Sequence, residues 1–224
     1  MAAKTAMILA AGRGERMRPL TDKAPKPLLT VKGKSLIEYH LCGLKLAGYQ
    51  RVVINHAWLG QQIEEYIGDG QKFGLQILYS PEKHALETAG GITQALPLLC
   101  QTSDETYFTV VNGDVFTDFD FNKLPLEIGA GCAHLVLVDN PKHNPDGDFY
   151  LVNQKIQQSG QQKLTFSGIA KYHKDFFKGQ KVEVKPLVPL FRQAIAQQKM
   201  SAQYYPGIWT DVGTPERLEQ LNQA

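Results

Sequence analysis

The stretch from Ala6 to Leu29, AMILAAGRGERMRPLTDKAPKPLL, constrains the fold more than any other part of the chain. Met7, Ile8 and Leu9 form a short apolar run that reads as a buried strand, and Ala10, Ala11 and Gly12 keep side-chain bulk away where the backbone turns. Gly12 and Gly14 can take positive φ and let main-chain N–H groups converge on an anion. Arg13, Arg16, Arg18, Lys23 and Lys26 follow, while Pro19, Pro25 and Pro27 stop the segment from becoming a long helix. A basic, kinked, Gly-led loop leaving a strand suits a nucleoside triphosphate.

Two other phosphate motifs are excluded. A P-loop requires GxxxxGK[ST]; the nearest string, Gly33-Lys34-Ser35, lacks the earlier Gly and follows a proline-rich loop. A dinucleotide fingerprint requires GxGxxG, and Met17 stands where the third Gly belongs, which argues against a Rossmann dehydrogenase. A Gly-rich turn with a solvated basic face is the plain alternative for Gly12 and Gly14 alone, and the full pattern argues against it.

The chain alternates strand-like and helical stretches. Runs at Ala6–Leu9, Val52–Asn55, Leu75–Tyr79 and Tyr107–Val111 predict βα units on a mostly parallel sheet. Ser35 with Glu38 forms a capping box before the stripe of Leu36, Ile37, His40, Leu41 and Leu44, where His40 reads as a packed histidine. Trp58 is at least as well explained as a packing anchor as by a substrate contact. Leu86 to Gly91 opens a helix running to about Leu99, and the small residues Ala89, Gly90 and Gly91 allow either a base or a packed backbone to approach.

Asp114 follows the hydrophobic run Val110-Val111 by way of Asn112 and Gly113, a setting that packing does not explain. Asp118 and Asp120 alternate with Phe119 and Phe121 and read as the polar side of a strand or turn. Beyond Asn122 the strict alternation stops, predicting antiparallel strands added to the same sheet. Ala133–Val138 and Lys163–Ile169 read as strands, Gly168 being placed where a ligand or another backbone approaches. Lys155–Lys163 reads as a hairpin tip, the stretch after Pro186 as a helix, and Tyr205–Val212 as a final strand-like run before a helix starting at Thr214-Pro215. Asp211, near the end of that run, reads either as a metal ligand or as a cap of the last helix. Thr214 is the better placed cap.

With 224 residues the chain is sized for one α/β domain, expected over 1–224. Hydrophobic residues at 43% and charged residues at 21% exclude disorder and fibrous architecture. A formal charge of +2 offers no large basic field, so no nucleic-acid partner is expected. Cys42, Cys100 and Cys132 are widely spaced without CxxC, which indicates neither a disulfide framework nor a zinc site and fits a reducing compartment. The N-terminal apolar run is too short for a signal-peptide core or a bilayer span. No membrane contact is expected, the expected location is the cytoplasm, and oligomeric state is left open.

GxGxRxxPLTxxxPKPL over Gly12–Leu28, Leu86-Glu87-Thr88-Ala89-Gly90, Asn112-Gly113-Asp114 and Trp209-x-Asp211-Val212-Gly213-Thr214-Pro215 together resemble the sugar-phosphate nucleotidyltransferases. The resemblance implies a Rossmann-like mixed, mostly parallel central sheet flanked by helices, with a smaller antiparallel sugar-binding subregion. It further implies transfer of a nucleotidyl group from a nucleoside triphosphate to a sugar 1-phosphate with Mg²⁺ as cofactor. Within the family the match is to the uridylyltransferase branch that acts on N-acetylmuramic acid 1-phosphate, in cell-wall recycling. The alternatives are guanylyl or thymidylyl transfer to another hexose 1-phosphate, or a catalytically silent nucleotide sensor. Carried over residue by residue, Ala11, Gly12, Gly14, Glu15, Arg16, Lys26 and Gly90 fall on the UTP side, with Arg16, Lys26 and Asp114 catalytic. Asn112, Asp148, Gly168 and Lys185 fall on the sugar side, Lys185 as a possible replacement for a Glu-Lys-Pro lysine that this chain lacks, although an exposed helix-start lysine explains it equally. Asp114 and Asp211 would be the metal ligands. Glu15 stands where many members carry Thr, and Glu87 where the family has its first Gly.

Overall fold

The computed structural model describes residues 3–223. The first apolar run forms β1 (Thr5–Ala10), and the loop behind it holds only single turns, among them α1 (Leu20–Lys23), because prolines and glycines interrupt anything longer. Two short strands, β2 (Thr30–Val31) and β3 (Lys34–Ser35), hand the chain to α2 (Leu36–Leu46). Glu38 Oε2 accepts the Ser35 N–H at 3.0 Å and the Ser35 hydroxyl at 2.8 Å, so the expected cap forms. Then come β4 (Arg51–His56), α3 (Gly60–Ile67), β5 (Gln76–Pro81), α4 (Glu87–Leu99) and β6 (Tyr107–Asn112), the predicted βα succession. The remainder supplies β7 (Val115–Thr117), β8 (Ala133–Val138), β9 (Phe149–Val152), β10 (Lys155–Gln157), β11 (Lys163–His173), α5 (Val188–Ala196), β12 (Met200–Tyr204), β13 (Trp209–Asp211) and α6 (Pro215–Gln223).

One nine-stranded sheet takes strands from both halves of the chain, in the order β5-β4-β1-β6-β11-β8-β12-β10-β9. Its first four strands are parallel; β11 then enters antiparallel between β6 and β8, which makes the sheet mixed. Side chains of β1 alternate as the pleat requires. Ala6, Ile8 and Ala10 face a core shared with Ile37 and Leu41 of α2 and Ile63 of α3, while Met7 faces a core shared with Ile92 of α4 and Phe191 of α5. A third, smaller cluster of Met17, Leu29, Val31, Leu36 and Val212 takes in Leu218 and Leu221. Met17 is fully buried there, burial of such a side chain being worth about 2 kcal/mol, so the basic loop is tied to α6 at the far end of the chain.

Two sequence expectations are corrected. The hairpin tip is not Lys155–Lys163: the turn is Asn153-Gln154, with φ of 49° and 60°, and Lys155–Gln157 is already the return strand. Two successive positive φ values are the geometry of a two-residue primed turn, which Gln seldom announces. Nor is Tyr205–Val212 one strand. Pro206 and Gly207 break it, the Tyr205 hydroxyl turns back to donate to Asp118, and Asp118 also takes the Ile208 N–H at 2.8 Å. Only Trp209–Asp211 pairs, with β7, in a separate two-stranded sheet. Among the described residues no helix is long and apolar enough to cross a membrane.

Candidate active site

β1 and its two parallel neighbours end together. Leu9 stands in register with Asn55 of β4 on one side and Asn112 of β6 on the other, so two amides meet at the carboxyl edge of the sheet, where open α/β sheets bind ligands. Asn55 Oδ1 accepts the Ala10 N–H at 3.0 Å and its Nδ2 donates to Glu82 at 2.7 Å; the other Glu82 oxygen takes the Leu86 N–H at 2.8 Å. Buried Glu82 thereby holds the loop that leads into α4. Above this edge opens a cleft of about 330 Å³, lined among others by Ala11, Gly12, Gly14, Lys26, Glu87 and Asp114. Glu87 takes φ of 57°, a left-handed conformation that residues other than glycine seldom adopt.

The loop is pinned from outside the cleft. The Arg13 guanidinium lies 3.7 Å from the Trp58 ring centroid and bonds the Thr21 carbonyl and Asp22, each at 2.9 Å. Trp58 Nε1 donates to the same Thr21 carbonyl at 2.9 Å, so Trp58 is the packing anchor of the two readings. Gly14, at φ 66°, brings its Cα so near Thr21 that an added Cβ would sit 3.0 Å from the Thr21 methyl, whereas nothing lies within 4 Å at Gly12. Arg13 is thus spent on the shape of the loop, while Arg16 and Glu15 are exposed and enter no side-chain hydrogen bond or ion pair among the described residues. The Lys26 ammonium reaches Asp114 Oδ2 at 2.6 Å, with the two side chains 12% and 34% exposed.

Asn112 and Asp114 also line a second cavity of about 250 Å³ on the other side, with His143, Asn144, Phe166 and Asp211. Asp211 reaches it because β13 pairs with β7: Asp211 is in register with Val115, and the Val212 N–H donates to the Asp114 carbonyl at 2.8 Å. Asp211 Oδ2 accepts from Arg217 at 2.5 Å. Its Oδ1 is shielded from solvent and accepts no hydrogen bond, although His143 Nε2 lies 3.0 Å away without hydrogen-bond geometry. Among the described residues no cluster of three or more His, Cys, Asp or Glu side chains is placed to hold a metal. Two carboxylates facing one cavity, one with an orphaned buried oxygen, nevertheless fit a hard cation whose other ligands come from phosphate. Gly213 makes room beside them: an added Cβ would lie 2.9 Å from Arg217 Nη1 and 3.4 Å from Arg16 Nη2.

Under the wall shared by the two cavities lies His40, fully buried against the backbone of Asn112 and Val115. Burial pushes its imidazolium down to about 4, against the pull of the Asp114 carboxylate, so the ring is neutral, and its Nε2 makes no hydrogen bond. This is the packed histidine that the helical stripe predicts. Thr214 Oγ1 lies 3.5 Å from the Arg217 N–H, a long contact that fits its expected place at the start of α6.

Four sequence assignments are corrected by their surroundings. Gly90 does not face the cleft: its N–H, with that of Ala89, points to the Lys185 carbonyl at 3.3 and 3.0 Å, and an added Cβ would lie 2.1 Å from the Glu183 carbonyl. Lys185 accordingly acts through its backbone, as the lid on the N-terminus of α4, and its ammonium lies 3.6 Å from Glu183 rather than in either cavity. Gly168, at φ 79°, lets Asn112 lie against β11, since an added Cβ would sit 2.6 Å from Asn112 Nδ2. Asp148 spends its oxygens on the Phe166 N–H at 2.8 Å and on Asn144 Nδ2 at 3.2 Å, so it positions two residues of the second cavity instead of lining it. Sequence reasoning missed Asn55, Glu82, His143 and Arg217. Asn55 had a signal, an amide at the end of a buried strand like Asn112; His143 and Arg217 had none.

The nucleotidyl transferase family profile matches residues 5–149. The chain is 53% identical over 227 residues to the N-acetylmuramate alpha-1-phosphate uridylyltransferase of Neisseria meningitidis, covering 96% of this chain and 95% of that one. It is 29% identical to the D-glycero-alpha-D-manno-heptose 1-phosphate guanylyltransferase of Campylobacter jejuni, over 94% of this chain and 95% of the relative. A solved structure described as a glucose-1-phosphate thymidylyltransferase from Bacillus anthracis, in complex with sucrose, superposes with a TM-score of 0.83 at 21% identity, covering 99% of this chain and 94% of that one, and so shows the fold. A family profile over well more than half of the chain, together with a relative matched almost end to end, establishes that the chain belongs to the nucleotidyl transferase family.

Proposed function

We propose that the protein transfers UMP from UTP to N-acetylmuramic acid 1-phosphate, releasing pyrophosphate and giving UDP-N-acetylmuramic acid. The observation that carries this reading is the 53% identity, over nearly the whole of both chains, to a uridylyltransferase of that substrate. The product is a nucleotide-activated wall sugar, which suits peptidoglycan recycling in the cytoplasm, where UTP is made.

The chemistry asks little covalent work of the protein. An oxygen of the sugar 1-phosphate attacks the α-phosphorus of UTP, the new O–Pα bond forms in line as the Pα–O–Pβ bond breaks, and pyrophosphate leaves with the electron pair. The nucleophile is already an oxyanion, so no protein base is needed, and rate comes from positioning and charge stabilisation. Ala11, Gly12 and Gly14 present main chain to the triphosphate, with Glu15 turned outward from the same loop. Arg16 and Lys26 bind its phosphates, Lys26 exchanging Asp114 for a phosphate oxygen. Asn112, in the wall between the cavities, orients the two phosphates toward each other. Asp114 and Asp211 would hold Mg²⁺, which when bound supplies charge neutralisation between the reacting phosphates. In this reading residues 1–122 serve mainly the nucleotide and 123–224 mainly the sugar, within one domain.

The test is pyrophosphate release measured with each nucleoside triphosphate against a panel of sugar 1-phosphates. Release confined to UTP with N-acetylmuramic acid 1-phosphate is the expected result. Release with GTP or dTTP and another hexose 1-phosphate overturns the substrate assignment, and no release with any pair points to a nucleotide sensor.

A further inference from the structure

A third cavity, of about 620 Å³, lies between α5 and the β9–β10 hairpin and belongs to none of the groups assigned above except Asp148 and Phe166. Its floor is aromatic: Phe149 and Phe166 each meet the Phe191 ring edge-on, at centroid separations of 5.6 and 5.8 Å. Its walls carry two cations, Lys163 and Arg192, neither of which enters an ion pair among the described residues. The one carboxylate on its lining, Asp148, is committed to the Phe166 N–H and to Asn144. Two cations without a carboxylate partner, Lys163 lying 5.4 Å from the Tyr150 ring centroid, over an apolar floor make a site for an anion carried on a short apolar stem.

This cavity adjoins the one that holds Asp114. Phe166 lines both, and the Asn144–Asp148 hydrogen bond at 3.2 Å joins a wall residue of one to a wall residue of the other. A sugar whose 1-phosphate lies beside Asp114 and Asn112 would reach Lys163 and Arg192 by carrying its far substituents past Phe166. N-acetylmuramic acid differs from N-acetylglucosamine by a lactyl ether, a carboxylate on a single ether-linked carbon that also bears a methyl group. We infer that Lys163 and Arg192 read this carboxylate and that the Phe166–Phe191 floor receives its methyl group, so that substrate choice is made in the third cavity. The inference rests on the uridylyl-transfer reading above.

The experiment compares N-acetylmuramic acid 1-phosphate with its lactyl methyl ester, both with saturating UTP, in wild type, Arg192→Gln, Lys163→Gln and Arg192→Lys. Loss of a charge-assisted hydrogen bond should raise KM for the acid about tenfold or more in each Gln variant, leave KM for UTP unchanged, and shrink the preference for acid over ester by the same factor. Arg192→Lys, which keeps the charge on an exposed helix position, should retain most of that preference. An unchanged KM for the acid overturns the inference, as does an equal rise for acid and ester, a parallel rise in KM for UTP, or equal losses in Arg192→Lys and Arg192→Gln. Absence of turnover by the wild type with UTP and the acid would overturn the uridylyl-transfer reading itself, before any variant is made.

Discussion

The first cleft, which the proposed function gives to the nucleotide, and the second cavity, the sugar-side cavity of that proposal, share a wall but are built differently. The loop at the mouth of the cleft is shaped largely by side chains close in sequence: Arg13 bonds Thr21 and Asp22, and Gly14 packs on Thr21. The sugar-side cavity is made of pairs drawn from distant segments, such as Asn112 against Gly168, Asp148 with the Phe166 N–H, and Asp211 in register with Val115. A locally determined site survives small movements of the sheet, whereas one assembled from remote strands depends on every register between them. Three contacts cross from the loop and the end of β1 to remote segments, Trp58 with the Thr21 carbonyl, Asn55 with the Ala10 N–H and Lys26 with Asp114, and the last of them joins the cleft to the second cavity.

That crossing makes Lys26 the place where the comparison is most easily broken. Lys26→Ala should lower turnover on the order of 10²-fold while the protein stays folded, because in the proposed reaction the ammonium stabilises phosphate charge. A loss below about threefold would leave the loop a purely structural device.

The next effect concerns the shared wall. His40, whose imidazolium is lowered from 6.5 to about 4 by burial, binds fewer protons folded than unfolded between those values, so stability is complete above pH 6.5 and is lost as pH falls toward 4. Integrated, this single group contributes roughly 3 kcal/mol of acid sensitivity. His40→Gln should flatten the acid limb of a denaturation curve over that window; an unchanged limb would remove His40 from the account. Gly168→Ala should then cost about 1–3 kcal/mol, since it combines a φ of 79° with an approach of 2.6 Å to Asn112. Gly12→Ala, in open space, should cost less than about 0.5 kcal/mol. Equal losses of melting temperature in the two would erase the contrast between the local and the assembled site.

If Asp114 and Asp211 hold one Mg²⁺, Asp114→Asn and Asp211→Asn should each raise the Mg²⁺ needed for half-maximal activity by about tenfold, and the double variant should be little worse than either. Multiplicative losses, or an Asp211→Asn protein with normal Mg²⁺ dependence and a lower melting temperature, would make Asp211 a partner of Arg217 only. The smallest effect is expected at Asp148. Asp148→Ala, by releasing Asn144 and Phe166, should raise KM for the sugar 1-phosphate about fivefold with little change for UTP, roughly the value of one hydrogen bond. Equal rises for both substrates would show that the hairpin supports the whole site rather than its sugar side.

The sequence by itself determined the strand, the glycines and the cations of the loop at Ala11–Lys26, the βα succession, and the placing of Asn112 and Asp114 at the end of β6. Each of these rests on neighbours within one turn or strand, where spacing and residue type decide the conformation. Tertiary structure alone decided that Gly90 faces the Glu183 carbonyl, that Lys185 works through its backbone, that Gly168 makes room for Asn112, and that His143 and Arg217 flank Asp211. The last two of these follow from β11 entering antiparallel beside β6 and from α6 packing on the basic loop, and the first two from the segment before α5 lying across the start of α4. No local pattern carries such a choice, because a glycine that admits a ligand and one that admits another backbone are the same residue until the strands are placed.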